Sequence, residues 1–313
     1  MDISKYSDAL VAHLEHKVTL KEPASLYEPI KYILTLGGKR LRPVLTLMSA
    51  DFFGGNYTKA LDASLAVEMF HNFSLVHDDI MDNAPLRRGH QTVHEKWDVN
   101  TGILSGDAML ILAYQLFETY EPKVFMQLAV LFSKTALEVC EGQQYDVDFE
   151  TRNDVTISQY IKMIEYKTAV LIGASLQMGA IIAEASESCQ EKIYAFGKNL
   201  GIAFQLQDDY LDAFGNPLTF GKQVGGDIIA NKKTFLYLTA LQKSTPAEAQ
   251  ELSSLFATMP KDPSDKITAV KEIFVSSGAA KATEDEIVRY TNTSISILQD
   301  IKMSQQHKDT LKS

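Results

Sequence analysis

No proline falls between Lys123 and Asn216. Breakers of that strength would punctuate a β-rich chain of this size. Within the interval apolar residues recur at helical spacing, as at Leu128, Leu131, Phe132 and Val139. Gly102–Phe117 and Lys123–Val139 are apolar nearly all round, a pattern expected of helices inside a bundle and not on its surface. Stop signals are legible elsewhere. Gly37-Gly38 suits a helix C-terminus, Gly54-Gly55-Asn56 a turn, and Asn83-Ala84-Pro85 and Phe214-Gly215-Asn216-Pro217 end helices. Thr245-Pro246 and Met259–Pro263 are further breaks. The expectation is an all-α fold: a single large bundle of ten or more helices around a central cavity, one domain over residues 1–313, with a polar tail frayed from about 300.

Composition narrows the partners. Forty acids against thirty bases leave a net charge of −10, which argues against nucleic acid or an anionic membrane surface as a partner. Cys140 and Cys189 have no ligand-like spacing, so a reducing cytoplasm is expected and a disulfide scaffold or cysteine zinc site is not. The N-terminus does not read as a secretory signal. The weakly polar run Ala169–Ala183 is short of the ~20 residues that cross a bilayer, so no stable membrane insertion is expected.

Asp-Asp-x-x-Asp occurs twice, at Asp78–Asp82 and Asp208–Asp212. On a helix, residues four apart share a face, so Asp78 stacks with Asp82 and Asp208 with Asp212. Like charges at that spacing destabilise a helix by ~0.2–0.5 kcal/mol per pair. The flanks are apolar: Phe70, Phe73, Val76 and Ile80 around the first copy, Ile202, Phe204, Leu206 and Leu211 around the second. Carboxylates set so deep need compensation, and a hard cation supplies it. Mg²⁺ prefers carboxylate oxygens and shares its shell with substrate phosphates. Two acidic faces suit a Mg²⁺–diphosphate cluster; a pair of solvated acidic turns is the plainer alternative.

Basic residues accompany both motifs. Gly37-Gly38-Lys39-Arg40-Leu41-Arg42 precedes the first, Arg87-Arg88-Gly89 follows it, and Lys222 and Lys232-Lys233 follow the second. Guanidinium grips phosphate oxygens as a fork and lysine as a point charge. The pattern favours polyanion binding.

In this order the residues resemble the trans-isoprenyl diphosphate synthases (polyprenyl synthetases). The match runs from Gly37-Gly38-Lys39-Arg40-x-Arg42-Pro43 through His71, the first aspartate motif, Arg87-Arg88-Gly89, Gly142-Gln143-x-x-Asp146, Lys167-Thr168 and Gln205 to the second motif, Gly221-Lys222 and Asn231-Lys232. The resemblance implies a homodimer, three Mg²⁺ ions (Mn²⁺ as a substitute), and 1′-4 condensation of isopentenyl diphosphate with dimethylallyl, geranyl or farnesyl diphosphate. It makes Asp78, Asp82 and Asp208 direct metal ligands, and Asp79, Asp209 and Asp212 ligands or their supports. Lys39, Arg42, His71 and Arg88 become the isopentenyl diphosphate pocket. Arg87, Lys167, Lys222 and Lys232 become grips on the allylic diphosphate, with Gln143 and Asp146 near the metals. Thr168 and Gln205 would sit beside the developing carbocation. His77 and His94 receive no role. Gln91 stands where the family often has proline, away from any expected ligand.

Phe73 and Ser74 lie five and four residues before Asp78. A ring at Phe73 would close the floor of the product tunnel, and the small Ser74 leaves room above it. In the family that pattern looks like short-chain synthases, C20 favoured here over C15. Two other readings stand beside this one: a class I terpene cyclase and a non-catalytic partner subunit. The all-aspartate second motif and the second-substrate pocket weigh against the cyclase, and the completeness of the acidic and basic set weighs against the subunit.

Overall fold

The computed structural model describes residues 3–216 and 224–312. It is all-α apart from one two-residue hairpin. The elements run α1 (Ser4–Lys17), α2 (Ala24–Thr35), α3 (Leu41–Phe52), α4 (Leu61–Met81), β1 (Leu86–Arg87), β2 (His90–Gln91), α5 (Val93–Lys96), α6 (Val99–Phe117), α7 (Pro122–Thr151) and α8 (Ile157–Ile164). A π-helical turn at Glu165–Ala169 leads into α9 (Val170–Ile182) and α10 (Glu187–Phe214). Then come α11 (Gly226–Ile229), α12 (Phe235–Lys243), α13 (Pro246–Leu255), α14 (Ser264–Ser276), α15 (Ala279–Gln299) and α16 (Gln305–Lys312). The breaks fall where proline and glycine chemistry puts them: α2 stops before Gly37, α4 before Pro85, and Pro246 opens α13 behind a Thr245/Glu248 capping box. Among the described residues no helix is long and apolar enough to cross a membrane.

The helices group into two compact units, Met1–Leu137 with Leu171–Ala195 and Leu298–Ser313, and Glu138–Val170 with Phe196–Ile297. Composition gave no sign of that division. In the first unit Phe70, Phe117 and Phe132 are fully buried and meet edge to face, each outer ring 5.2 Å from Phe132. Helices α4 and α6 run in close contact because Gly102 and Gly106 leave notches for Ile80 and His77. In the second unit the core gathers Tyr160, Phe235, Leu252, Val270 and Phe274.

Two expectations are corrected here. The tail does not fray: Gln305–Lys312 is helical, Lys308 and Leu311 are buried, Lys308 Nζ donates to the Gln299 carbonyl at 2.5 Å, and His307 stacks on Phe52 at 4.2 Å. One buried leucine and one aromatic stack suffice to dock a segment that reads as polar. Nor are the all-round apolar helices interior. Leu104 and Ile111 on α6 and Met126, Val130 and Leu137 on α7 are each 58–67 % exposed. Within this unit only one stripe of each helix faces the core, and the rest forms an apolar surface.

Helix α1 is tied down by carboxylates. Tyr6 Oη and Lys5 Nζ donate to Asp51 at 2.5 and 2.9 Å; His13 and Lys17 meet Asp62 at 2.7 and 3.1 Å. These donors hold both carboxyls below the usual range, against the opposing and larger effect of burial on each group alone. A depressed folded-state pKa gives stability that is present above the unfolded value, near 4, and lost as pH falls through the folded one. Asp51→Asn and Asp62→Asn should each lower Tm at pH 7 by roughly 2–4 °C, the shift that about 1 kcal/mol gives in a chain this long. The double variant should also lose less Tm than wild type between pH 5 and pH 3; parallel acid limbs in a calorimetric series would refute the assignment.

Candidate active site

In the first unit, α4 presents His71, Phe73, Ser74, Asp78 and Asp79 on successive turns, and Asp82 caps its C-terminus. Left-handed Asn83 turns the chain away, and the β1–β2 hairpin brings Arg87 back onto the helix. Arg87 donates to Asp79 Oδ1 through Nε at 2.9 Å and Nη2 at 2.5 Å, and Nη2 lies 3.5 Å from Asp78 Oδ2. Asp79 is 1 % exposed, and burial outweighs Arg87 so that its carboxyl sits above the usual range. Arg87 thus holds the aspartate motif here, with Asp79 engaged by its guanidinium, Asp78 close to it and Asp82 exposed at the helix end.

The basic pocket also forms within this unit. Arg88 Nη1 donates to the Gly37 carbonyl, and a Cβ at Gly38 would lie 2.8 Å from the Arg88 guanidinium carbon, so glycine there admits the side chain. Arg42 Nη1 reaches His71 Nε2 at 3.4 Å. Guanidinium can only donate, so Nε2 accepts and the ring proton sits on Nδ1. Burial, reinforced by Arg42, Arg88 and Arg87, holds His71 well below its ordinary pKa, hence neutral. Burial likewise lowers Arg42 to about 10. Arg40 and Arg88 are both left-handed, with φ of 45° and 55°. Such backbone costs about 1–3 kcal/mol per residue and clusters at ligand clamps. Lys39 is exposed, next in sequence to Gly38 and Arg40.

Sequence reading missed Glu68. It is 2 % exposed one turn before the pocket's His71–Asn72 pair, accepts from Asn72 Nδ2 at 3.1 Å, and is acted on by Arg40, Arg88 and Arg42. The available signal was the one already used for the aspartates: a lone acid inside the apolar run Ala63–Phe70.

In the second unit, α10 carries Gln205, Asp208, Asp209 and Asp212. Tyr160 Oη and Gln205 Nε2 both donate to Asp209, the latter at 2.9 Å, and Gln205 Oε1 accepts from Thr168 Oγ1 at 3.1 Å. Thr168 and Gln205, paired in the sequence reading, therefore meet. Burial, with Asp227 and Asp208 nearby, pushes the Asp209 carboxyl up to about 7. Asp212 Oδ2 accepts from the Asp227 backbone N–H at 2.9 Å, and Lys232 Nζ lies 4.0 Å from Asp227. Asp227 is the second residue missed; with Asp209, Asp212 and Lys232 it lines one small pocket. Lys167 Nζ meets Asp146 Oδ2 at 2.6 Å. Gln143 is placed on the same face of α7, three residues before Asp146. Lys222 lies outside the described residues.

Lys167 and Thr168 sit in the π-helical turn, a device that shifts side-chain register inside a helix. Gly142 on α7 makes room for it: a Cβ there would lie 2.3 Å from the Lys167 backbone nitrogen.

The donor set fits magnesium. Among the described residues no three acids, histidines or cysteines converge closely enough to form a cage. Mg²⁺ does not require one, because it retains waters and takes one or two carboxylates plus substrate phosphate oxygens. All-carboxylate donors beside guanidinium and ammonium groups suit that shared shell.

The chain is thus helical, with an aspartate-rich motif in each unit and a cationic pocket in the first, the features on which it resembles the isoprenyl diphosphate synthases. Comparison with known proteins refines this. Residues 23–273 match the polyprenyl synthetase family, and the chain belongs to it as a prenyltransferase of the short-chain trans-isoprenyl diphosphate synthase type. It is 38 % identical to a geranylgeranyl diphosphate synthase of Methanosarcina mazei over 77 % of this chain and 75 % of that one. A crystal structure of a geranylgeranyl pyrophosphate synthase superposes with a TM-score of 0.96 at 55 % identity, covering 100 % of this chain and 96 % of that one. The geranylgeranyl pyrophosphate synthase of Corynebacterium glutamicum, complexed with isoprenyl diphosphate and magnesium, aligns with a TM-score of 0.87 at 26 % identity over 100 % and 97 % of the two chains.

Proposed function

We propose that this chain condenses isopentenyl diphosphate with an allylic diphosphate, 1′-4 and head to tail, to give an all-trans C20 diphosphate. The observation that carries the reading is the Arg42–His71–Arg88 pocket, a second anion site beside the one that Asp78 and Asp82 serve. A cyclase, acting on one diphosphate, has no use for it. The complexed Corynebacterium relative supports magnesium as the ion.

Asp78, Asp82 and Asp208 would hold Mg²⁺, which when bound stabilises negative charge on the leaving diphosphate. Lys167 and Lys232 add fixed positive charge on the same allylic diphosphate. Asp146 holds the Lys167 ammonium in place. Breaking the allylic C–O bond leaves a cation at C1. The Thr168 hydroxyl proton is committed to Gln205, so its lone pairs remain to face that cation. The isopentenyl double bond, oriented from Arg42, His71, Arg88 and Lys39, supplies the electron pair for the new C–C bond. A proton then leaves C2 of that unit to the released diphosphate. No side-chain nucleophile takes part.

The homodimer is part of this reading, supported by the exposed apolar surface of α6 and α7. Purified protein with Mg²⁺, isopentenyl diphosphate and C5, C10 or C15 primers tests the chemistry. Turnover of an allylic diphosphate alone would favour a cyclase, and inertness with both substrates would favour a partner subunit. Phe73→Ala should lengthen the main product by at least one C5 unit, read by mass analysis; an unchanged product would remove Phe73 as the tunnel floor.

A further inference from the structure

The floor residue has a neighbour that the reaction scheme leaves unused. His77 lies one turn after Phe73 on α4, and their rings meet edge to face at 4.8 Å. Its Nε2–H donates to the Ile103 carbonyl on α6 at 3.2 Å, with Asp107 3.9 Å away. The imidazole occupies the space a side chain at position 106 would fill: a Cβ on Gly106 would lie 2.3 Å from His77 Nε2 and 2.6 Å from Cδ2. One turn earlier on α6, Gly102 receives Ile80 in the same manner, its added Cβ 2.9 Å from the Ile80 methyl. Thus the close approach of α4 to α6 is built around this imidazole. Phe73 also meets Phe70, one turn earlier on α4, at 5.5 Å, and Phe70 belongs to the aromatic core. The ring of Phe73 therefore touches both the aromatic core and an imidazole that is pinned by a hydrogen bond and a glycine notch.

We propose that His77, seated in the Gly106 notch, is a specificity-determining residue for product length, bracing the Phe73 ring so that it stays across the tunnel. The proposal rests on the reading of Phe73 as the floor. Losing the imidazole leaves a void beside Phe73, and the ring can turn into it. The growing chain then passes before release.

The test uses the full-length enzyme with isopentenyl diphosphate and a C15 primer, with products sized by mass. His77→Ala and His77→Asn should each move at least about half of the product one C5 unit longer. His77→Phe, which restores a ring against Phe73, should return most of it to the wild-type length. Phe73→Ala/His77→Ala should make products no longer than Phe73→Ala alone, because the brace has nothing left to hold. A slower condensation step favours earlier release and shorter product, so a loss of rate from disturbing neighbouring Asp78 cannot mimic the expected lengthening. If Phe73→Ala lengthens the product while both small His77 variants keep the wild-type length, the brace is overturned and the floor stands. If none of the variants changes the product, floor and brace fall together.

Discussion

Asp208→Asn should lower kcat by about 10²–10³, the usual cost of removing one group that stabilises charge developing in a transition state. The substitution keeps shape and hydrogen-bonding size but deletes the charge that would hold Mg²⁺. In the proposed scheme ionisation of the allylic substrate is the step that needs this charge, so the loss belongs in kcat and in the Mg²⁺ concentration for half-activity. The KM for isopentenyl diphosphate should stay within about twofold, since the pocket proposed for it draws on Arg42, His71 and Arg88 and not on Asp208. Asp79→Asn is the informative contrast. That carboxyl is buried and spent on Arg87, so its loss acts by releasing a guanidinium and should cost Tm as well as activity. Steady-state kinetics across a magnesium titration, with Tm for each variant, separates the two. Equal falls in kcat and Tm for both variants would mean that neither carboxylate is a ligand.

The residues that carried the sequence reading are those whose chemistry is local. Proline and glycine fix where α2, α4 and α10 end without help from distant parts of the chain, and the ends fall there. The aspartate motifs were legible because charge in an apolar helix is costly wherever the helix goes. What the sequence concealed depends on partners far along the chain. Hydropathy makes Leu104 and Met126 core residues, but it cannot tell a face buried by its own chain from one left outside. The same limit hid the tail, where Leu311 alone marks a buried stripe in a polar octet. The partners of individual charges were hidden likewise: nothing local to Arg87 shows that the hairpin folds it back on Asp79, and nothing local to Asp227 shows that its backbone N–H meets Asp212. His77 reads as a spare histidine because nothing in the sequence links Gly106 to it.

Gly142→Ala should be the most damaging single methyl addition in the second unit. The added Cβ would lie 2.3 Å from the Lys167 nitrogen, 2.7 Å from the Tyr166 carbonyl carbon and 2.8 Å from the Lys167 Cα. All three are backbone atoms of the π-helical turn, so no side-chain rotation relieves the overlap, and α7 and the turn have to part by about 1 Å to reach ordinary contact. Overpacking of this kind costs about 1–3 kcal/mol, or roughly 2–12 °C of Tm at the 2–4 °C per kcal/mol of a large domain. The catalytic cost should be larger than the loss of folded protein. Parting the two segments stretches the 2.6 Å Lys167–Asp146 pair, which spans that contact, and shifts Thr168 against Gln205. A displacement near 1 Å at a positioned group costs about 10²-fold in rate. The effect should appear as lower kcat and higher KM for the allylic diphosphate, with KM for isopentenyl diphosphate little changed. Assays run well below both measured Tm values read this without interference from unfolding. A Gly142→Ala enzyme that melts lower yet turns over normally would show that the turn tolerates the shift, and that the register it imposes on Lys167 and Thr168 is not what the reaction depends on.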